Sequence, residues 1–236
     1  ELGQLDLVRF LLTVPACSTS SLLEKAVCCA VQCENSEALS VLLPATVACP
    51  DFYTEVFRNL IVFCVECGGD EALRMILDTV RAVAVTGTGA EDMELHKHVS
   101  RAIALGFRAC ARCDEPEMAH MLREFSPDSI TDRTVQRAFY SAVRNSSTEM
   151  LQELLTEKRI DPCANDQEVM YLAVRQWQWG SLQLLISDGR VDVCARKCRA
   201  LRMAARSRWI GGVSLLLTHG GAKIDPSVCH NEAVRF

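Results

Sequence analysis

Two stretches of the chain carry thiols three residues apart, Cys64-Val65-Glu66-Cys67 and Cys110-Ala111-Arg112-Cys113. Four thiolates are the ligand set of a structural zinc, which holds them in a tetrahedron at about 2.3 Å. A single Cys-x-x-Cys pair is also the spacing of a dithiol redox centre. The chain has 13 cysteines in 236 residues, an odd number, scattered through apolar runs. A secreted disulfide framework is shorter and richer in loops, so the expectation is reduced, mostly buried thiols in a reducing compartment.

Whether the four thiols meet depends on the elements that carry them, and those elements repeat. A helix ending in a small residue, a short polar turn and a helix ending in paired aliphatics recur as AVQCENSEALSVLL from Ala30, CVECGGDEALRMIL from Cys64, CARCDEPEMAHMLR from Cys110, AVRNSSTEMLQELL from Ala142, AVRQWQWGSLQLLI from Ala173 and AARSRWIGGVSLLL from Ala204. A second-half copy, GQLDLVRFLL, opens at Gly3. The turn positions Gly3, Glu34, Gly68, Asp114, Ser146, Trp177 and Arg208 are separated by 31, 34, 46, 32, 31 and 31 residues. Four residues before the turn the residue is always small: Ala30, Cys64, Cys110, Ala142, Ala173 and Ala204. Five residues after it stand Val8, Leu39, Leu73, Ala119, Leu151, Leu182 and Val213, and eight after it Leu11, Leu42, Ile76, Leu122, Leu154, Leu185 and Leu216. Small residues let the second helix approach the first, and the aliphatic columns fill the seam between neighbouring pairs. Cys64 and Cys110 therefore stand in a column that is Ala elsewhere. Equivalent positions on packed helices lie about 8–10 Å apart, too far for four thiolates on one zinc. Packing, rather than metal, is the expected role of these thiols.

A period near 33 with two short antiparallel helices is ankyrin spacing. At the residues just quoted the chain resembles an ankyrin-repeat protein over nearly its whole length. GQLDLVRFLL resembles the family's Gly-His-x-x-x-Val-x-x-Leu-Leu, and AARSRWIGGVSLLLTHGGAKID its Ala-Ala-x-x-Gly through Leu-Leu-x-x-Gly-Ala run, with Gly189 and Gly220 at the helix-ending glycine. The family's Thr-Pro-Leu-His tetrapeptide is absent from every copy. Leu22-Leu23-Glu24-Lys25, Thr134-Val135-Gln136-Arg137 and Arg199-Ala200-Leu201-Arg202 stand in its place, and Asp-Pro-x-Ala-Asn-Asp at 161–166 marks a divergent branch. The resemblance implies an all-α, ankyrin-like solenoid of stacked antiparallel helix pairs, about seven repeats with some incomplete. It forms a single array over 1–236 that is cut inside a repeat at both ends and is expected to continue or be covered there.

The long step holds about 13 residues beyond the family period. The excess, near 82–98, is expected as a surface loop that includes Glu91 and Asp92 among candidate partner contacts. His96 and His98 have no third ligand nearby in sequence, and Thr86-Gly87-Thr88-Gly89 lacks the Lys of a phosphate loop. His120, His219 and His230 pair with no nucleophile motif, so no enzyme activity, cofactor or small-molecule substrate is expected.

Charge is uneven. From residue 190 onward nine basic residues stand against three acids, a net of +6 that leaves −11 elsewhere in a chain of total charge −5. Arg196, Lys197, Arg199, Arg202, Arg206 and Arg208 are the candidate contacts for an acidic partner or a nucleic-acid backbone. Arg112, Arg144, Arg175 and Arg206 share one column two residues before the turn. Trp177 and Trp179 are candidate anchors, since aromatic residues dominate binding hot spots. No apolar run approaches a membrane span, and the first residues lack a signal peptide's pattern. The resulting expectation is a protein-protein interaction scaffold. The alternatives are a subunit of a large assembly, including a ribonucleoprotein, and a zinc or redox protein using Cys64, Cys67, Cys110 and Cys113.

Overall fold

Each apolar column described above recurs at helical spacing, and the chain is all-helical. The computed structural model describes residues 19–49, 52–84 and 92–220; the copy at Gly3, Glu91, Lys223, His230 and the last helical fragment lie outside the described residues. Among the described residues there are twelve α-helices and no strand. None is long and apolar enough to cross a membrane.

The chain divides into two compact units, Glu1–Thr134 and Val135–Phe236. The first holds α1 (Ser20–Gln32), α2 (Ser36–Val47), a π-helical turn (Phe52–Val56), α3 (Phe57–Cys67), α4 (Asp70–Ala84), α5 (Asp92–Cys113), α6 (Pro116–Phe125) and a 3₁₀ turn (Pro127–Ser129). Within it α1, α3 and α5 pack in series, as do α2, α4 and α6, while each helix also packs on its partner across the turn. After α7 (Asp132–Asn145), the second unit holds α8 (Thr148–Thr156), α9 (Ala164–Arg175), α10 (Trp179–Asp188), α11 (Ala195–Arg206) and α12 (Ile210–Gly220). There α9 packs on α11, α10 touches both α8 and α12, and the pairs α9–α10 and α11–α12 close on themselves.

One backbone device joins every pair. Glu34, Gly68, Asp114, Ser146, Trp177 and Arg208 all have positive φ, from 51° to 69°. The next amide in each case reaches back five residues to a carbonyl: Asn35 to Ala30 (2.9 Å), Gly69 to Cys64 (2.9 Å), Glu115 to Cys110 (3.1 Å), Ser147 to Ala142 (3.0 Å), Gln178 to Ala173 (3.0 Å) and Trp209 to Ala204 (3.0 Å). This is the Schellman closure, which satisfies a carbonyl left over at the helix end. The accepting residue is the small one of the repeat, and all six are buried. The aliphatics eight positions after the turn, from Leu42 to Leu216, are buried as well. Five positions after it Leu39, Leu73, Ala119, Leu151 and Leu182 are buried, and only Val213 is half-exposed.

The first unit adds an aromatic cluster at its π turn, where Phe52 and Phe57 are fully buried with ring centroids 5.6 Å apart. Gly106 sets the approach of α5 to α3: a Cβ there would lie 2.3 Å from Ile61 Cγ2. The insertion differs from the expected loop in its flanks. Helix α4 runs on to Ala84 and α5 begins at Asp92, so the excess residues lengthen both helices. The apolar face of α4 keeps helical spacing through Val80, and the helix continues beyond it to Ala84.

Two outcomes check this account. Leu154→Ala or Leu185→Ala should cost about 2–5 kcal/mol in chemical denaturation, as truncation of a buried Leu does. At the turn, Glu34→Gly should raise stability by roughly 1 kcal/mol, because glycine accepts positive φ without the steric cost of a Cβ. Gly68→Ala should lower stability by a similar amount. Equal signs for the two turn substitutions would contradict the left-handed geometry.

Candidate interaction surface

In the second unit three consecutive turns abut. The Gln178 side-chain amide donates to the Arg144 carbonyl at 3.1 Å, and the buried Ser181 hydroxyl donates to the Val143 carbonyl at 3.2 Å. Gly180 and Gly211 occupy one column, three residues after the turn, and each allows a neighbour in. A Cβ on Gly180 would lie 2.7 Å from Thr148 Cγ2, and one on Gly211 would lie 3.1 Å from the Trp179 ring. Trp209 folds over Gly212, where a Cβ would fall 2.2 Å from the indole.

The side chains that this stacking leaves outside are apolar and cationic. Trp177 is 56% exposed, Trp179 46% and Ile210 82%. Arg144, Arg175, Arg206 and Arg208 are exposed, and none of the four forms an ion pair with a described residue. The fourth member of the arginine column differs: Arg112, in the first unit, pairs with Glu66. The turn edge of the first unit is acidic instead. A cleft of about 500 Å³ there is lined by Glu34, Asp70 and Glu71 together with Gly68 and Gly69.

The basic segment that starts at residue 190 splits into internal and external cations. Arg190 is structural. It clasps the Asp188 carboxylate at 2.6 and 2.8 Å and donates to the Ile160 and Leu155 carbonyls at 3.1 and 2.7 Å, tying two successive loops together. The Arg190 hydrogen bonds hold the Asp188 carboxyl below its ordinary range. Arg199 stacks over the Tyr171 ring at 4.6 Å, and Arg202 donates to the Lys197 carbonyl at 2.8 Å. Arg196 and Lys197 are exposed on a left-handed turn, with φ of 51° and 58°, followed by Cys198 at 53°. Asn165 and Gln167, one copy earlier, are also left-handed.

This left-handed turn lies in the first residues of α9 and α11. In each copy an aspartate accepts from the amide two residues on, Asp161 from Cys163 at 2.8 Å and Asp192 from Cys194 at 3.0 Å. The Cys163 thiol then donates to the Arg190 carbonyl at 2.9 Å. The Asp-x-Cys repeat was visible in the sequence at positions 161 and 192, whereas nothing in the sequence pointed to Tyr171 or to the carbonyls that Arg190 reaches. Ile210 was missed as well; its place directly after a turn, outside both aliphatic columns, was the available signal. The exposed Arg144 and Arg175 were read as a column but not as contacts.

The two Cys-x-x-Cys pairs each straddle a helix surface. Cys64 and Cys110 are fully buried, Cys67 is exposed and Cys113 half-buried. Burial pushes the Cys64 thiol up to about 12 and moves Cys110 in the same direction. That environment opposes the thiolate a metal or redox partner requires. Among the described residues no group of three His, Cys, Asp or Glu side chains is placed to hold a metal ion, and no disulfide links the cysteines. His96, His120 and His219 are exposed and His98 is half-buried. Asp92 opens α5, and its side chain lies outside the description, as does Glu91.

Two measurements address these environments. Alkylation at mildly alkaline pH should modify Cys29, Cys33 and Cys67 first, with Cys64 and Cys110 reacting only as the chain opens; elemental analysis should find no stoichiometric zinc. Zinc lost together with the fold in Cys67→Ser would overturn the packing account. Asp188→Asn should destabilise the chain at neutral pH. A carboxyl whose folded pKa is depressed stabilises above its unfolded value, here 3.8, and loses that contribution as pH falls through the lower folded value. The gap between variant and parent should therefore narrow below pH 3.8.

In comparison with known proteins, no family model, curated protein or solved structure matches the chain.

Proposed function

We propose that the chain is a non-catalytic interaction scaffold of the ankyrin-repeat type, a solenoid whose stacked helix pairs present a surface to a protein partner. The supporting observation is a single turn geometry used six times, with helices packing in two series inside each unit. A solenoid built this way has an extended edge that its own core does not cover. In the second unit that edge carries exposed Trp177, Trp179 and Ile210 beside Arg144, Arg175, Arg206 and Arg208, none of which forms an ion pair with a described residue. Large aromatics and arginine are the residues that concentrate binding energy when a partner desolvates them. A protein partner fits the net charge of −5 better than a nucleic acid does. The unbridged thiols fit a reducing compartment.

The experiment is capture from native extract with the tagged chain at low and high salt. Capture should persist at high salt and disappear with Trp177→Ala or Trp179→Ala, while circular dichroism stays unchanged. The opposite pattern selects the assembly-subunit reading: loss at high salt and on reversing Arg196, Lys197 and Arg199 to Glu, with RNA recovered and the tryptophan variants active. The exposed left-handed turn at Arg196 and Lys197 is the feature such a contact would use.

A further inference from the structure

We propose that the turn edge of the second unit is a docking strip for an extended, proline-rich peptide carrying acidic side chains at every third position. The inference rests on the scaffold reading above and specifies the chemistry of the partner.

The strip is a ruler of cations. Arg144, Arg175 and Arg206 stand two residues before three consecutive turns, and those turns touch through Gln178, Ser181, Gly180 and Gly211. Equivalent positions on packed helices recur about every 8–10 Å. All three guanidiniums face solvent without an acidic partner among the described residues, and Arg208 adds a fourth charge at the last turn. Each can take a carboxylate in a bidentate, charge-assisted pair.

The ligand backbone must present carboxylates at the same interval. A β-strand places same-face side chains every second residue, about 7 Å apart, which falls short of the step. A polyproline II chain has three residues per turn and rises about 3.1 Å per residue, so every third side chain lines one face at about 9 Å. That matches the ruler. The same conformation suits the apolar half of the strip: proline-rich chains dock on exposed aromatic rings. Trp177 and Trp179 lie in the middle turn, at 56% and 46% exposure, between Arg144 on one side and Arg206 on the other in the repeat order. The Trp179 ring lies against Gly211, where a Cβ would fall 3.1 Å from it, so packing backs one part of the ring while 46% of the residue stays exposed. Polyproline II is already stiff in the free peptide, which reduces the ordering cost of docking.

The test uses the full chain and fluorescein-labelled peptides of repeated Glu-Pro-Pro triplets, read by anisotropy and by tryptophan fluorescence. Saturable binding that weakens with salt and shifts the tryptophan emission is expected. A peptide of the same composition with its glutamates in one block should bind at least about tenfold more weakly, the loss expected when charge-assisted pairs are forfeited. Arg175→Glu should abolish binding. Arg175→Lys, which keeps charge and loses the bidentate fork, should weaken it, and both exposed substitutions should leave helical content unchanged. Equal binding of the blocked peptide would overturn the ruler. Tighter binding of oligouridylate, or displacement of the peptide by unlabelled chain with concentration-dependent self-association, would overturn the assignment of the occupant. If no peptide binds while Trp177→Ala still abolishes partner capture, this inference falls and the scaffold reading stands.

Discussion

The hydrogen bond from the amide that follows each left-handed turn residue to a carbonyl five residues back is the constraint on which the remaining structure depends. It forces the intervening residue into the left-handed region and reverses the chain within a few residues. The second helix then leaves at a fixed angle, over the residue whose carbonyl accepts the bond. That residue must be small, and it is Ala or Cys in every described copy. Once the pair is set, the aliphatics five and eight positions after the turn reach the seam. In five of six copies the left-handed residue is not glycine. The steric cost of about 1–2 kcal/mol at each such site is offset by the two helices it brings into contact, since burying one Leu contributes roughly as much.

That dependence explains what the sequence could and could not reveal. The columns were legible because a small residue and branched aliphatics are demanded at fixed distances from the turn. The handedness of the turn was legible by residue type only at Gly68. Glu34, Asp114, Ser146, Trp177 and Arg208 give no chemical hint of positive φ; the surrounding packing imposes it. The basic segment was harder still. Counting charge treats Arg190, Arg199 and Arg206 as equivalent, yet the first clasps Asp188 and two carbonyls, the second lies on Tyr171, and the third is exposed with no ion-pair partner among the described residues. Separating them requires knowing which neighbour each side chain meets, and Arg190 and Arg199 meet residues about 30 positions earlier in the chain, which no local pattern reveals. The flanks of the long insertion were misread for a related reason: a loop was expected from length alone, but apolar spacing carries α4 onward through Val80.

The cysteines show how a motif can arise from packing. A separation of three residues on a helix places two side chains on overlapping faces. Here the first of each pair is buried and the other is exposed or half-buried. The buried thiol serves as a residue slightly larger than Ala, and desolvation keeps it protonated. The loop cysteines have another use. Cys163 donates to the Arg190 carbonyl, and together with Asp161 and Asp192 it braces the turns that lead into α9 and α11.

The arginine column poses a last physical question, because three like charges in series ought to repel. At about 9 Å in water, two unit charges interact by about 0.5 kcal/mol, and at physiological salt the Debye length of about 8 Å cuts that to roughly a third. At that spacing the repulsion along the strip is small, so the folded chain can tolerate it without a paired carboxylate among the described residues. In the first unit the same column is neutralised by Glu66 at Arg112, and the turn edge there is acidic. A ligand that covered the strip would change the balance. It would exclude water and lower the effective dielectric, and each guanidinium would gain more from an opposing carboxylate than it lost to a neighbour one helix spacing of about 9 Å away, since the pair distance is shorter by a factor of about two to three. One column can thus be structural in one copy and receptive in another, according to whether a carboxylate is supplied by the adjacent helix or must come from outside.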